Sequence, residues 1–386
     1  METWHECKLG DVITLKRGYD LPQRDRLPGL FPIVSSSGVT DYNAIAKVKG
    51  PGVVTGRYGT LGEVFYIEGA FWPLNTSLYV QEFKGNDPRF IAYFLKNLNL
   101  GTKNSAGAVP GVNRNHIHAI DVCVPPLAVQ QRISSILSAY DELIENSQRR
   151  IRILESMARA LYREWFVKFR FPGHENHRMV DSPLGKIPKG WDIKTVGESF
   201  EIYGGGTPSR KEPEYWENGN IRWFAPSDLT GAGTMFMDDS SDHINELGLA
   251  KSSARMFPAY SVMLTSRATI GAISINTQEA CTNQGFITCI PNDDVPLYFL
   301  FHWVTESVPT FRRLASGATF KEISRGVFKT IKLTRPPETL VRRFEAAVAP
   351  MAKQALALQR KIQNLRRTRD LLLPRLLSGQ IEVDTA

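Results

Sequence analysis

The feature that most constrains this chain is a gapless internal repeat. Sliding the sequence on itself by 211 positions sets Pro125-Pro126 on Pro336-Pro337 and carries an apolar seam onward in register. The first copy opens "PPLAVQQRISSILSAYDELI" and places Ile133, Leu137, Tyr140, Ile144, Ser147, Ile151, Leu154, Ala158, Leu161 and Trp165 at alternating steps of four and three. The second copy opens "PPETLVRRFEAAVAPMAKQA" and places Phe344, Val348, Met351, Ala355, Leu358, Ile362, Leu365, Arg369, Leu372 and Leu376 the same way. A 3.5-residue period held for more than four heptads is a coiled-coil seam, so each copy predicts one long helix. The expected pairing positions are Ile133, Leu137, Ile144, Ile151, Leu154 and Leu161 against Phe344, Val348, Leu358, Ile362, Leu365 and Leu372. Arg369 is the plain defect in this seam. Pro350, inside the second copy, predicts a kink or a division into a short and a long helix, because an internal proline removes a backbone bond and crowds the preceding turn.

Each double proline has a physical role at the head of its helix. Proline disfavours helix in the residue before it, while its fixed φ suits a first helical turn, so the pair marks where an irregular or strand segment stops and a helix starts.

The rest of the chain repeats more weakly. "WHECKLGDVITLKRGYDLP" from Trp4 parallels "WDIKTVGESFEIYGGGTPS" from Trp191, with later glycines at Gly18 and Gly205. "VVTGRYGTLGEV" from Val53 parallels "VMLTSRATIGAI" from Val262, setting Arg57 beside Arg267 and Gly62 beside Gly271. "SAGAVPGVNRNHIHAIDV" from Ser105 stands where "SGATFKEISRGVFKTIKL" stands from Ser316, both leading to the prolines. The expected order is a globular unit (1–124), a helical spacer (125–171), a Pro/Gly-rich linker (172–190), a second unit (191–335), a second spacer (336–379) and a tail (380–386). Within each unit short β-type runs broken by glycine-rich turns, plus one helix (88–98 and 297–306), predict a mixed α/β fold whose sheet topology stays open. Antiparallel pairing of the two seams would hold the units at opposite ends of a pseudo-two-fold spacer. A seam of about 33 residues spans roughly 50 Å, commensurate with DNA half-sites that recur every ~34 Å on one face.

With 386 residues, 42% hydrophobic and 22% charged, the chain is long enough for two ordinary domains. No basic-then-apolar leader opens it and no window approaches the ~18 apolar residues of a membrane span, which suggests a cytoplasmic protein. Cys7, Cys123, Cys281 and Cys289 form no C-x-x-C pair and suit buried thiols in a reducing compartment. The net charge of +8 sits on the repeated helices: residues 335–375 carry ten Lys or Arg against three acids. Such a face would neutralise a polyanion or simply be solvated.

Catalytic motifs are missing. There is no G-x-x-x-x-G-K-[ST] loop; "YGGGT" (203–207) and "GRYGTLG" (56–62) read as turns. Neither double proline sits in an N-P-P-Y or D-P-P-Y tetrapeptide, and no Pro-Asp dipeptide opens a nuclease site. His116 and His118, two apart, would share a strand face but lack a spaced carboxylate or Cys for a metal. The pairs Asp238-Asp239 and Asp293-Asp294 read as solvated turn residues. What remains is recognition chemistry: Arg57, Tyr58, Asn113, Arg114, Asn115, Arg267, Lys321 and Arg325 in loops near glycines. Arginine fits guanine O6/N7 and asparagine fits adenine N6/N7, while glycine lets backbone approach phosphate. Each could equally be a surface charge or turn former.

Taken together, "PPLAVQQRISSIL", the C-terminal "LLLPRLLSGQIEV", Pro188 to Trp191, "GGGTPSR" (204–210) and "AVPGVNRNHI" (108–117) resemble the specificity subunits of type I restriction-modification systems over essentially the whole chain. The resemblance implies two target-recognition domains, each reading half of a bipartite, asymmetric site on double-stranded DNA, with the helices as antiparallel spacer. Arg210, Lys211 and Thr319 complete the candidate DNA-binding residues. It also implies two docked methyltransferase subunits, which bind S-adenosylmethionine and methylate adenine, restriction subunits that cleave, and no cofactor or catalysis on this chain. "GATFKEIS" stands where the first copy has "AVPGVNRN", as expected if the two domains read different half-sites. Competing readings are the specificity subunit of a related system that cuts outside its site, a coiled-coil structural tether, and an enzyme in its own right.

Overall fold

A computed structural model describes residues 4–100, 112–317 and 319–384. Part of the expected recognition stretch, Ser105 to Gly111, lies outside the described residues. The chain forms two compact units, one from 1–146 with 361–386 and the other from 147–360, so each unit draws on both copies of the repeat.

Unit 1 contains β1 (His5–Lys8), β2 (Thr14–Arg17), β3 (Phe31–Ser35), β4 (Gly38–Asn43), β5 (Gly52–Gly56), β6 (Val64–Ile67), β7 (Trp72–Pro73), β8 (Ser77–Glu82) and β9 (Asp121–Val124), with helices α1 (Leu9–Val12), α2 (Pro88–Asn97) and α3 (Arg114–His118). The long helix α4 (Leu127–Tyr162) begins here. The main sheet runs β2-β8-β5-β6, all antiparallel, beside a β4-β3-β7 sheet and a β1-β9 ribbon. The strand "GVVTG" of β5 is buried at every residue, as befits an inner strand. Helix α2 starts where Asp87 accepts from the Phe90 N–H at 2.7 Å; Ser134 on α4 donates to that carboxylate at 2.6 Å, and the Gln130 side chain accepts from the Asp87 N–H. The core joins Leu9, Ile13, Val53, Phe90 and Ile91 to Ile133 and Leu137 of α4 and to Leu376 and Leu377 at the end of the last helix.

Unit 2 contains β10 (Met179–Ser182), β11 (Gly185–Pro188), β12 (Asp192–Thr195), β13 (Glu201–Gly204), β14 (Ile221–Phe224), β15 (Phe236–Met237), β16 (Asp242–Ile244), β17 (Val262–Thr265), β18 (Ile273–Asn276), β19 (Ala280–Thr282), β20 (Phe286–Ile290) and β21 (Lys332–Arg335). Its helices are α5 (Val196–Ser199), α6 (Pro226–Ala232), α7 (Glu246–Ala250), α8 (Leu297–Leu314), α9 (Arg325–Thr330) and the start of α10 (Glu338–Leu377). Strands run β13-β20-β17-β18-β15 in one sheet and β16-β14-β19 in another. The β12-β21 ribbon answers β1-β9: in both units the strand leading to the double proline pairs antiparallel with the strand that follows Trp4 or Trp191. An aromatic cluster of Tyr162, Phe166, Phe299 and Phe344 ties the end of α4 to α8 and to the start of α10. The helices therefore meet head to tail, the beginning of each sharing a core with the end of the other.

All twenty seam positions are buried or half-buried, while Leu143, Ile153, Met157 and Leu371, off the seam, are exposed. Several expectations are corrected. Helix α10 runs 40 residues without division at Pro350; proline removes one bond, and the buried Phe344, Val348, Ala352 and Ala355 hold both sides in place. Arg369 is no defect, for its guanidinium donates to Asp141 on α4. Residues 172–190 are not an open linker: they form the β10-β11 hairpin, and Ile187 joins the unit 2 core. Cys123 is exposed because β9, a ribbon strand, alternates outward and inward. Helix α8 extends past Glu306 to Leu314, crossing Pro309. Asp238 is not a solvated turn acid; Arg360 of α10 grips it, Nη2 to Oδ1 at 2.7 Å, and that hydrogen bond holds its carboxyl below the usual range.

Candidate nucleic-acid interface

Both units build the same loop framework, and backbone hydrogen bonds fix the correspondence. In unit 1 the Tyr19 N–H donates to the Pro73 carbonyl at 2.8 Å; in unit 2 the Gly206 N–H donates to that of Thr282 at 2.9 Å. The Arg57 N–H donates to Thr76 at 2.9 Å, and the Ser266 N–H to Gly285 at 2.7 Å. Val112 then donates to the Arg57 carbonyl and Ile323 to the Ser266 carbonyl, both at 3.0 Å. Four segments thereby converge in each unit: the end of β2 or β13, the turn before β8 or β20, the loop after β5 or β17, and the residues that lead into α3 or α9. This register sets Arg57 against Ser266 and Tyr58 against Arg267, one residue from the alignment suggested by side chains.

The shared glycines follow from close approach. A Cβ at Gly18 would stand 2.1 Å from the Leu74 carbonyl oxygen, and one at Gly205 would stand 2.1 Å from that of Asn283. No other residue lets the strand end cross the turn this closely.

In unit 1 the Arg57 guanidinium lies 4.6 Å from the ring centre of Tyr58, which is itself exposed. Asn113 is the N-cap of α3, its side chain accepting from the Asn115 N–H at 3.0 Å, and Arg114 and Asn115 are exposed on the first turn. In unit 2 Ser324 caps α9 by accepting from the Val327 N–H at 3.2 Å, and Arg325 is the first helical residue. Arg114 and Arg325 thus open short helices instead of lying in loops, at positions 211 apart. Their capping residues Asn113 and Ser324 make this so. The Arg325 guanidinium lies against Gly204, where a Cβ would come within 2.8 Å of it. It lines a cleft of about 450 Å³ together with Gly205, Ser266, Gln284 and Glu322.

The remaining expected residues distribute unevenly. Arg267 stands 3.8 Å from Glu322 and pairs with it through backbone as well. Lys321, whose carbonyl accepts from the Ala268 N–H, is exposed beside exposed Thr319 and Phe320. Arg210 is engaged elsewhere: its guanidinium stacks 3.6 Å from the Trp216 ring centre and pairs with Asp242, while Lys211 is exposed. His116 and His118 lie on helix α3, not a strand, so two residues apart they diverge. His118 accepts from the Leu15 N–H at 2.9 Å, and burial lowers its pKa, so it serves as a neutral acceptor.

Two side chains escaped the sequence reading. Asn75 and Gln284 occupy corresponding places in the turn before β8 and β20; Asn75 donates to the Asp20 carboxylate, and Thr207 donates to Gln284 Oε1 at 2.5 Å. The signal was present as "PLNTSLYV" against "TNQGFITC", a repeat at a spacing two residues shorter than that of the helices.

Chemically, these loops offer guanidiniums, amides, hydroxyls and backbone approached through glycine, which suits hydrogen bonding to base edges and phosphates. Among the described residues no group of three His, Cys, Asp or Glu is placed to hold a metal, and no helix is long and apolar enough to cross a membrane.

Residues 1–156 and 188–339 match the family model of the type I restriction modification DNA specificity domain, one match for each half of the repeat. The MjaIX type I restriction enzyme specificity subunit of Methanocaldococcus jannaschii is 36% identical over 175 residues, which span 45% of this chain and 39% of that protein. The HindI specificity subunit of Haemophilus influenzae is 23% identical over 337 residues, 72% of this chain and 73% of its own. Among solved structures, the S subunit of a type I restriction-modification system from M. genitalium shares the fold, with a TM-score of 0.68 at 15% identity over 97% of this chain and 96% of that one.

Proposed function

The chain belongs to the type I restriction-modification DNA specificity family, and from that membership we propose that it is the DNA-reading subunit of a type I restriction-modification complex in the cytoplasm. Each unit's loop framework reads one half of a bipartite, asymmetric site. The observation that carries this reading is the paired framework itself: the same backbone hydrogen bonds recur in both units while the side chains they present differ. Identical frames with different residues are what two readers of different half-sites require. Arg57, Tyr58, Asn113, Arg114 and Asn115 serve the first half-site, and Lys211, Arg267, Thr319, Lys321 and Arg325 the second. Arg210, already stacked and ion-paired, supports its loop and reaches DNA only by leaving Asp242.

The chain is non-catalytic in this proposal. Helices α4 and α10, with exposed Arg150, Arg366 and Arg367, dock two methyltransferase subunits that carry S-adenosylmethionine, and restriction subunits complete the complex. Methylome sequencing of cells with and without the gene tests it. A bipartite methyladenine motif that disappears on deletion is the expected result, and an unchanged methylome would overturn the reading.

A further inference from the structure

In both units one amide side chain at the turn before the inner strand is braced by a side chain from the segment after the first sheet strand. Asn75 is braced by Asp20 and Gln284 by Thr207. The backbone bonds from Tyr19 to Pro73 and from Gly206 to Thr282 make these equivalent pairs, since Asp20 and Thr207 follow the two donors directly and Asn75 and Gln284 stand two residues past the two acceptors. The braces themselves are chemically different, a carboxylate in one unit and a hydroxyl in the other. A repeat that keeps the brace while changing its atoms is holding a side chain in a fixed attitude.

Each brace leaves the amide with at least one donor and one acceptor free. Asp20 takes one N–H of Asn75, leaving a second N–H and the carbonyl oxygen. Thr207 takes one lone pair of the Gln284 oxygen, leaving the other and both N–H groups. Turning the Gln284 amide over, so that Thr207 accepts, would still leave a donor and an acceptor side by side. Adenine presents an acceptor at N7 beside a donor at N6 on its major-groove edge; guanine presents two acceptors. A braced amide with one donor and one acceptor free therefore fits adenine and leaves its acceptor unmatched on guanine. Gln284 is exposed, Asn75 half-exposed, and Gln284 shares its cleft with Arg325.

We propose that Asn75 and Gln284 are specificity-determining residues, each reading one adenine in its half-site, with Asp20 and Thr207 as their positioning residues. This rests on the reading of the chain as a DNA specificity subunit. The test is methylome sequencing of cells in which the full chain acts with its methyltransferase subunits, comparing wild type with Asn75→Ala, Gln284→Ala, Asp20→Ala and Thr207→Val. Asn75→Ala and Asp20→Ala should relax one A·T position in one half-site, and Gln284→Ala and Thr207→Val one position in the other. Preference there should fall about tenfold to a hundredfold, the span of one bidentate amide–adenine pair, while the remaining positions and the melting temperature stay unchanged. A purely structural role would instead lower methylation across the whole motif. Wild-type motif logos kept intact in Asn75→Ala and Gln284→Ala would overturn the proposal while leaving the parent reading standing. A wild-type chain that directs no bipartite pattern would overturn both.

Discussion

The Arg369 guanidinium on α10 donates at 2.5 Å to the Asp141 carboxylate on α4, whose other oxygen accepts from the Tyr93 hydroxyl of α2 at 2.5 Å. One charged side chain within an apolar seam thereby joins three helices of unit 1. With the Arg369 side chain only 19% exposed, Arg369→Leu leaves a half-buried carboxylate uncompensated and should destabilise the protein by about 1–3 kcal/mol. Adding Asp141→Leu should recover part of that loss, because the unpaired carboxylate is then gone, while the Tyr93 hydroxyl loses its acceptor. Denaturant midpoints of the two single variants and the double variant decide it; additive losses would show the pair to be uncoupled.

Glu345 on α10 accepts from the Phe299 N–H at 2.7 Å and so caps α8, at the position 211 residues beyond Ser134, which supports the equivalent cap in unit 1. Burial pushes its pKa up to about 7. A carboxyl whose folded pKa is raised contributes stability that is fully present below the ordinary glutamate range and lost as pH rises through about 7. His302, buried with no hydrogen-bond partner among the described residues and pressed by burial down to about 4, has the opposite slope, gaining stability from about 4 up to the ordinary histidine range. The informative quantity is thus the difference between wild type and Glu345→Gln. The variant should gain relative stability between pH 5 and 7.5, by up to about 3 kcal/mol. Melting curves across that range check it, and parallel pH profiles for the two proteins would count against the assignment.

Gly18→Ala and Gly205→Ala each place a methyl group about an atom's radius from a carbonyl oxygen, at 2.1 Å. Backbone on both sides must shift, so a loss of about 2 kcal/mol or more is expected from each. Gly85→Ala meets nothing within 4 Å among the described residues but sits at φ 84°, so it carries only the backbone strain and should cost less. Thermal unfolding ranks the three, and an equal ranking would mean that the crossings are not tight.

Arg114→Ala and Arg325→Ala remove the exposed guanidinium at the start of α3 and α9. Each should weaken retardation of a DNA duplex bearing the full site by about 1–3 kcal/mol in the assembled methyltransferase complex. If the arginine contacts phosphate, the dependence of affinity on salt should drop by about one unit; if it reads guanine, discrimination at one base should fall instead. Unaltered binding by both variants would remove these residues from the interface.

The seam, the helix starts and the repeated order of unit and helix were legible in the sequence because they are local. A 3.5-residue period is written by neighbours three and four apart, and a double proline acts on the residues beside it. Tertiary structure decided what the loops do. The partners that brace Asn75 and Gln284 lie 55 and 77 residues away along the chain, so no window of sequence contains both members. Arg57 was matched to Arg267 by its side chain, but the strand-end hydrogen bonds, made by backbone that every residue carries, place it against Ser266. Arg210 is a candidate DNA-binding residue by sequence, yet Trp216 and Asp242, neither beside it in the chain, engage its guanidinium. Helical periodicity is a property of one segment alone, whereas the direction a loop side chain points is set by whichever distant segment packs beside it.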